Sequence, residues 1–214
     1  MQNRKIALIG YGELGMQIEK LLVQQLKQKI TFYYFDDNSF KQKKPNSFKF
    51  SQYEEEQHAK LEFYVCLGYK QLKKKSEVLD SLKDLKRKIP SFVHRTSFVS
   101  KSAIIEEGVI IYPMCNVDKD VIIEKGSLLN NSVVISHNNI VGDCSYISPG
   151  VTTSGNVQIG AGSFIGTGVS ISNGARIGKN CRIGIGTIVT SDIQSGKSAI
   201  GNPMKILKKK LTLV

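Results

Sequence analysis

From residue 93 onward the chain repeats with a period of six. Stepping by six, Val93, Val99, Ile105, Ile111, Val117, Ile123, Leu129, Ile135, Val141, Ile147, Thr153, Ile159, Ile165, Ile171, Ile177, Ile183 and Val189 make 17 positions, of which only Thr153 is not aliphatic. Threonine has the shape of valine. A helix turning every ~3.6 residues cannot keep such a column on one stripe, whereas short β-branched strands separated by turns can. A second column stands four residues after each aliphatic and includes Ala103, Val109, Cys115, Val121, Val133, Ser145, Val151, Val157, Val169, Ala175, Cys181 and Thr187. It is small or apolar except at Asn139. Glycines one place after the aliphatic, at Gly142, Gly160, Gly166, Gly178 and Gly184, read as turn positions that need permissive backbone angles. One repeat has too little core to stand alone, so the repeats must stack into a β-solenoid with both columns inside. Three hexads per triangular coil give roughly five to six coils.

The first ninety residues carry a different pattern. Lys5 to Ile9 reads as a buried strand, followed by Gly10-Tyr11-Gly12-Glu13-Leu14-Gly15 and a helix from Met16 to Lys27 with Ile18, Leu21, Leu22 and Leu26 at helical spacing. Thr31 to Phe35 is a second strand ending in Asp36-Asp37, and Glu62 to Leu67 a third, ending at Gly68. Lys70 to Lys88 is an amphipathic helix with Leu72, Leu79, Leu82 and Leu85 inside and lysines outside. A strand, a G-x-G-x-x-G turn, a helix and an acidic residue after the next strand form the dinucleotide fingerprint, in which backbone N–H groups face phosphate and the carboxylate faces ribose. Three strands are about half of a dinucleotide fold, so a mononucleotide fits better than NAD; a tight turn with no ligand is the plainer alternative. Residues 38–60 read as a loop able to cover such a site, with His58 on the surface. The two patterns define an α/β domain over 1–91 and an all-β domain over 92–214.

Composition adds limits. The net charge of +12 divides as 18 Lys+Arg against 11 Asp+Glu in residues 1–91 (+7) and 12 against 7 in 92–214 (+5), so neither half is a concentrated basic arm. A basic surface suits nucleic acid, an anionic membrane or phosphorylated small molecules; the Gly-rich turn favours the last. Cys66, Cys115, Cys144 and Cys181 have no CxxC spacing, and no leader or spanning apolar run is visible, so a reduced cytoplasmic protein without a metal site or stable membrane insertion is expected. Lys205 to Lys210, beside Leu211, Leu213 and Val214, is short for a membrane-surface contact and reads better as a solvated tail.

A Gly-rich α/β segment joined to a hexapeptide solenoid resembles the bacterial sugar O- and N-acyltransferases, which include sialic acid O-acetyltransferases and the acetyltransferases of nucleotide-linked 4-amino-4,6-dideoxy sugars. Its supporting segments are the Gly-rich turn, Phe35-Asp36-Asp37, Leu67-Gly68, Val93-His94, Asn130 to Gly142 and Gly201-Asn202-Pro203. The resemblance implies a small Rossmann-like N-terminal domain followed by a left-handed parallel β-helix, a homotrimer, and acetyl-CoA lying between neighbouring prisms. The family's N-x-x-x-x-x-x-H-[D/E]-x-x-[IV]-G segment is matched by Asn130, His137, Val141 and Gly142. By resemblance His137 is the general base, and an imidazole, with an ordinary pKa of about 6.5, suits that task. Asn138 stands where an acidic residue is usual, and Tyr146 where a further histidine is often found. An amide orients the ring but adds no charge to stabilise the imidazolium. Asn139 is either a second orienting group or a hydrogen-bonded internal rung, and His94 reads as structural.

The resemblance further implies that Ser148, Gly155, Thr167 and Ile185 contact coenzyme A; Lys205 and Lys208, towards the carboxyl end, are candidates of opposite charge for its phosphates. Gly10, Tyr11, Gly12, Asp36, Asp37, Gly68 and Asn130 would hold the nucleotide-sugar. The expected reaction is N-acetylation of a nucleotide-linked 4-amino sugar for glycan assembly. Its alternatives are O-acetylation of a sialic-acid-like sugar, a degenerate scaffold that binds the sugar nucleotide without chemistry, and, more distantly, an NAD-dependent oxidoreductase.

Overall fold

The structure is a computed structural model that describes residues 3–212, and it divides into two units, Met1–Ser91 and Phe92–Val214. In the first, β1 (Arg4–Ile9), β2 (Ile30–Phe35), β3 (Ser47–Phe48) and β4 (Glu62–Val65) form a parallel sheet in the order β3-β2-β1-β4. Ile6, Ala7, Leu8 and Ile9 are fully buried because β1 lies in the middle, in register Ile6↔Phe32 on one side and Ile6↔Glu62 on the other. Strands covered on both faces read as continuous apolar runs. Ile18 and Leu22 of α1 (Glu13–Gln25) and Val78, Leu79 and Leu82 of α3 (Leu72–Asp84) complete this core.

The stretch expected to be a loop is ordered. It holds α2 (Asp37–Lys41), the edge strand β3 and two short 3₁₀ turns. His58, expected on the surface, is buried, edge-on to Phe35 at 4.9 Å and to Phe48 at 4.6 Å. Its Nε2 has no hydrogen-bond partner among the described residues and stands 3.9 Å from Glu55 Oε2. Burial holds the imidazole below its ordinary pKa; Glu55 pulls it up and Arg87 pushes it down again. A histidine with a depressed folded pKa binds its proton more readily in the unfolded chain. Its contribution to stability is therefore complete above about pH 6.5 and is lost as the pH falls through the folded value. Melting temperatures between pH 7.5 and 5.5 should fall more steeply for the native protein than for His58→Phe; equal slopes would remove His58 as the cause.

The second unit is a parallel β-solenoid of about six turns. Two-residue strands such as Ile104–Ile105, Ile110–Ile111 and Asn116–Val117 enter three sheets in turn. Each pairs with the strand one coil on, as in Ile104↔Ile122, Ile110↔Leu128 and Asn116↔Val134. The aliphatic column is buried from Ile111 to Val189, while Val93, Val99 and Ile105 of the first coil are half-buried against the same core. Inside another corner runs a hydroxyl ladder. Ser127 Oγ donates to Gly142 O and accepts from Ser145 N–H, Ser145 Oγ repeats this with Gly160 O and Ser163 N–H, and Ser163 Oγ with Gly178 O and Cys181 N–H. These small polar residues satisfy corner groups that would otherwise be buried without partners.

The glycine assignment is corrected by the turns. Left-handed backbone falls three residues after the aliphatic, at Asn138 (φ 59°), Cys144 (φ 52°), Gly150 (φ 67°) and Asn156 (φ 58°) among others. The glycines one residue after it serve close coil-to-coil approach. A Cβ at Gly142 would lie 2.5 Å from Ala161 N, and one at Gly160 would lie 2.6 Å from Gly178 C. Gly150→Asn should therefore be nearly neutral, since asparagine tolerates this conformation and the space is open. Gly160→Ala should cost about 1–3 kcal/mol through overpacking, read as a lower urea midpoint.

All four cysteines are free and buried, and burial pushes the Cys66 thiol up to about 12, so it is not primed as a nucleophile. No described helix is long and apolar enough to cross a membrane. The basic stretch near the end is not simply a solvated tail: Lys205–Leu207 runs antiparallel to Ser198–Ile200, and Leu211 is held by Arg182 and by Ser198 Oγ. Leu213 and Val214 lie outside the described residues.

Candidate active site

Gly10, Asp36 and Gly68 follow the carboxyl ends of β1, β2 and β4, the edge of a parallel sheet where ligands bind in open α/β folds. Gly10 has φ 83°, and a Cβ there would lie 2.9 Å from Leu67 Cδ2. A Cβ on Gly15 would lie 2.5 Å from the Gly10 carbonyl oxygen, so its absence lets the helix start close against the turn. Gly12 caps α1 without a side-chain hydrogen bond and has open space around its Cα. Asp36 is already engaged in the fold: Oδ1 accepts from Ser39 N–H at 2.8 Å, capping α2, and Oδ2 accepts from Tyr11 N–H at 3.2 Å. Asp37 Oδ1 accepts from Phe50 N–H at 3.0 Å.

A cluster that the sequence pattern did not reveal adjoins this turn. Tyr11 and Tyr34 both donate their hydroxyls to Glu19, their rings meet edge-on at 4.5 Å, and Lys44 Nζ stands 4.8 and 4.4 Å from the two centroids. Burial first, then Glu19, pushes both phenols above their ordinary pKa. The alternation of β2 and the helical position of Glu19 are visible in the sequence, but the meeting of the three elements is not.

On the solenoid, His137, Asn138 and Gly155 lie together. His137 and Gly155 occupy the same corner of successive coils, with Asn156 N–H donating to His137 O. A Cβ on Gly155 would stand 2.4 Å from His137 Cε1 and 2.5 Å from Nε2, so the half-buried imidazole lies where a side chain would otherwise be. Asn173 Oδ1, one coil further, would be 3.1 Å from that Cβ. His137 Nδ1 is 2.9 Å from Asn138 Oδ1. A proton on Nδ1 makes this a hydrogen bond and leaves the lone pair on Nε2. Asn138 also occupies the left-handed turn position, which asparagine tolerates better than most residues.

Asn130, Ser148, Thr167 and Ile185 lie along a different corner. Asn130 Nδ2 donates to the Tyr146 hydroxyl at 3.0 Å, Ser148 is buried with its N–H on Ile165 O, and Ile185 is 77% exposed beside exposed Thr167. A single chain therefore does not bring all the expected coenzyme A contacts to His137. Buried Asn139 is a hydrogen-bonded internal rung: Nδ2 donates to Thr153 Oγ1 and to Ser154 O, and Oδ1 accepts from Val157 N–H at 2.6 Å. His94 is buried too, with Nδ1 2.8 Å from Thr96 Oγ1.

A parallel solenoid preceded by a small α/β unit is consistent with the hexapeptide-repeat acyltransferase superfamily. The chain is similar to the acetyltransferase domain of PglB from Neisseria gonorrhoeae, at 27% identity and a TM-score of 0.86, over 96% of this chain and 100% of that one. A structure of that domain in complex with acetyl coenzyme A matches at 26% identity with the same score and coverage. PerB from Caulobacter crescentus, in complex with CoA and GDP-perosamine, shares the fold at 21% identity and a TM-score of 0.86, over 95% and 97% of the two chains. No family model and no curated protein sequence matches.

Proposed function

We propose that this protein is an acetyl-CoA-dependent N-acetyltransferase acting on a nucleotide-linked 4-amino-4,6-dideoxy sugar for glycan assembly. The observation that carries the reading is the His137 ring seated on Gly155 with Nδ1 at Asn138 Oδ1, in a chain similar over 96% of its length to an acetyltransferase domain. Acetyl-CoA supplies the activated thioester. The amine nitrogen forms the new bond to the acetyl carbon, His137 Nε2 takes the amine proton, and the coenzyme A thiolate leaves and is protonated. Asn138 keeps the proton on Nδ1 while Nε2 acts.

The same reading takes the N-terminal unit as Rossmann-like and the coil as left-handed. Gly10, Tyr11, Gly12, Asp36, Asp37 and Gly68 would hold the nucleotide, with the free N–H groups at the start of α1 facing its phosphates. Since Asp36 spends both oxygens on backbone donors, it would meet the nucleotide through remaining lone pairs. The corner of Ser148, Thr167 and Ile185 would take the pantetheine, and Lys205 and Lys208 the coenzyme phosphates. A cytoplasmic homotrimer would bring that corner of one protomer to the His137 corner of the next.

Purified protein should release free thiol from acetyl-CoA only when a 4-amino sugar nucleotide is added. A panel of UDP-, dTDP-, GDP- and CMP-sugars read by thermal shift selects the nucleotide, since a ligand of the native state raises its melting temperature. Thiol release with 4-hydroxy but not 4-amino acceptors would replace N- by O-acetylation, and binding without release would leave a scaffold.

A further inference from the structure

The coil carrying His137 differs from its neighbours inside the solenoid. After four strands of the six-stranded sheet, the next N–H donates to the carbonyl one coil on: Ser100 to Val117, Asp118 to Ile135, Ser154 to Ile171 and Ser172 to Val189, at 2.8–2.9 Å. At Ser136 side chains make this step. Its N–H donates to Thr153 Oγ1 at 3.1 Å, and its Oγ donates to Thr153 O at 2.7 Å. Strand register is correspondingly one pair, Val134↔Thr152, where the neighbouring Asn116–Val117 strand makes two. Thr153 Oγ1 also accepts from Asn139 Nδ2 and donates to Val134 O, so its hydrogen-bonding capacity is full.

Two irregularities of the columns, Asn139 and Thr153, are thus one network. Nothing in the fold demands it, because at the same corner of the other coils the position of Asn139 is held by Val121, Val157 and Ala175. The Ser127, Ser145 and Ser163 ladder occupies another corner and leaves the backbone bonds beside it intact, as Gly142 N–H to Ile159 O shows. The network ties together the two segments between which the imidazole sits. Ser136 and Asn139 flank His137 and Asn138 in one coil; Ser154 and Val157, bound by Asn139, flank Gly155 in the next.

We propose that Ser136, Asn139 and Thr153 are positioning residues for His137, a side-chain insert in the coil ladder that fixes the gap between its corner and Gly155 and so holds Nδ1 on Asn138. This rests on reading His137 as the base, but the test does not depend on turnover. With three histidines in the chain, ¹⁵N imidazole spectra are readily assigned by losing one set in His137→Ala. Native protein at neutral pH should show His137 with its proton on Nδ1. Asn139→Val with Thr153→Val removes the insert and leaves Ser136 N–H and Val157 N–H without their side-chain acceptors, so melting temperature should fall. The His137 spectrum should shift towards a proton on Nε2, and kcat should fall on the order of 10- to 10²-fold with KM unchanged. Thr153→Ser, which keeps the hydroxyl, should restore the native spectrum where Thr153→Val does not, a comparison that survives if the double variant fails to fold. A native His137 spectrum in Thr153→Val or in the folded double variant overturns the proposal. Undiminished transfer by His137→Ala instead removes the base assignment and leaves the spectral result standing.

Discussion

Ile165→Asp is expected to abolish soluble folded protein. Ile165 is fully buried and stacked in register between Ile147 and Ile183 of the adjacent coils. Emptying such a site of its methylenes costs about 2–5 kcal/mol. A carboxylate adds desolvation with no partner within the apolar column. The sum reaches the whole stability of a typical domain, about 5–15 kcal/mol. Ile165→Val, at about 0.5–1.5 kcal/mol, should remain soluble with a lower urea midpoint. Expression of both variants, followed by circular dichroism of the soluble fraction, reads the difference; a soluble and natively structured Ile165→Asp would mean the column is not the core.

His137→Ala should lower kcat by about 10² to 10⁴ while both substrates still bind. An amine that is already neutral needs less help in losing its proton than a hydroxyl does, so a 4-amino acceptor should fall towards the lower end. The cavity left beside Gly155 is open at a coil corner and interrupts no β-ladder bond, so melting temperature should change little. Single-turnover rates with native and variant protein separate the chemical step from binding; an unchanged rate would take His137 out of the mechanism.

The solenoid is legible in the sequence because a strict period of six admits few other structures, and the register never slips between Val93 and Val189. The strand Ser47–Phe48 is not, since two residues within a lysine-rich, polar stretch carry no periodic signal. His58 goes unread as a core residue for the same reason: its aromatic neighbours Phe35 and Phe48 are distant or isolated in the chain, and only the edge strand Ser47–Phe48 assembles them. Gly142 and Gly160 are visible as a column, but sequence cannot say whether a glycine serves a dihedral angle or a close contact. At the candidate site, His137 and its amide neighbour are adjacent and so visible, whereas Asn139 and Thr153 are 14 residues apart, not one coil of 18. Each is seen as an exception in its own column, and only coordinates join them.

A stack of parallel coils contains no instruction to stop, because every coil offers the next the same row of free N–H and C=O groups. Here the eight-stranded sheet is closed by a reversal: Lys205–Leu207 returns antiparallel along Ser198–Ile200, with Lys208, Lys209 and Lys210 directly after it. An exposed sheet edge is a template for aggregation, and a short, positively charged edge strand discourages it. One of the three sheets thus ends in a short strand of reversed direction, followed by lysines, which does not offer the next coil the parallel edge that every earlier coil offered its neighbour.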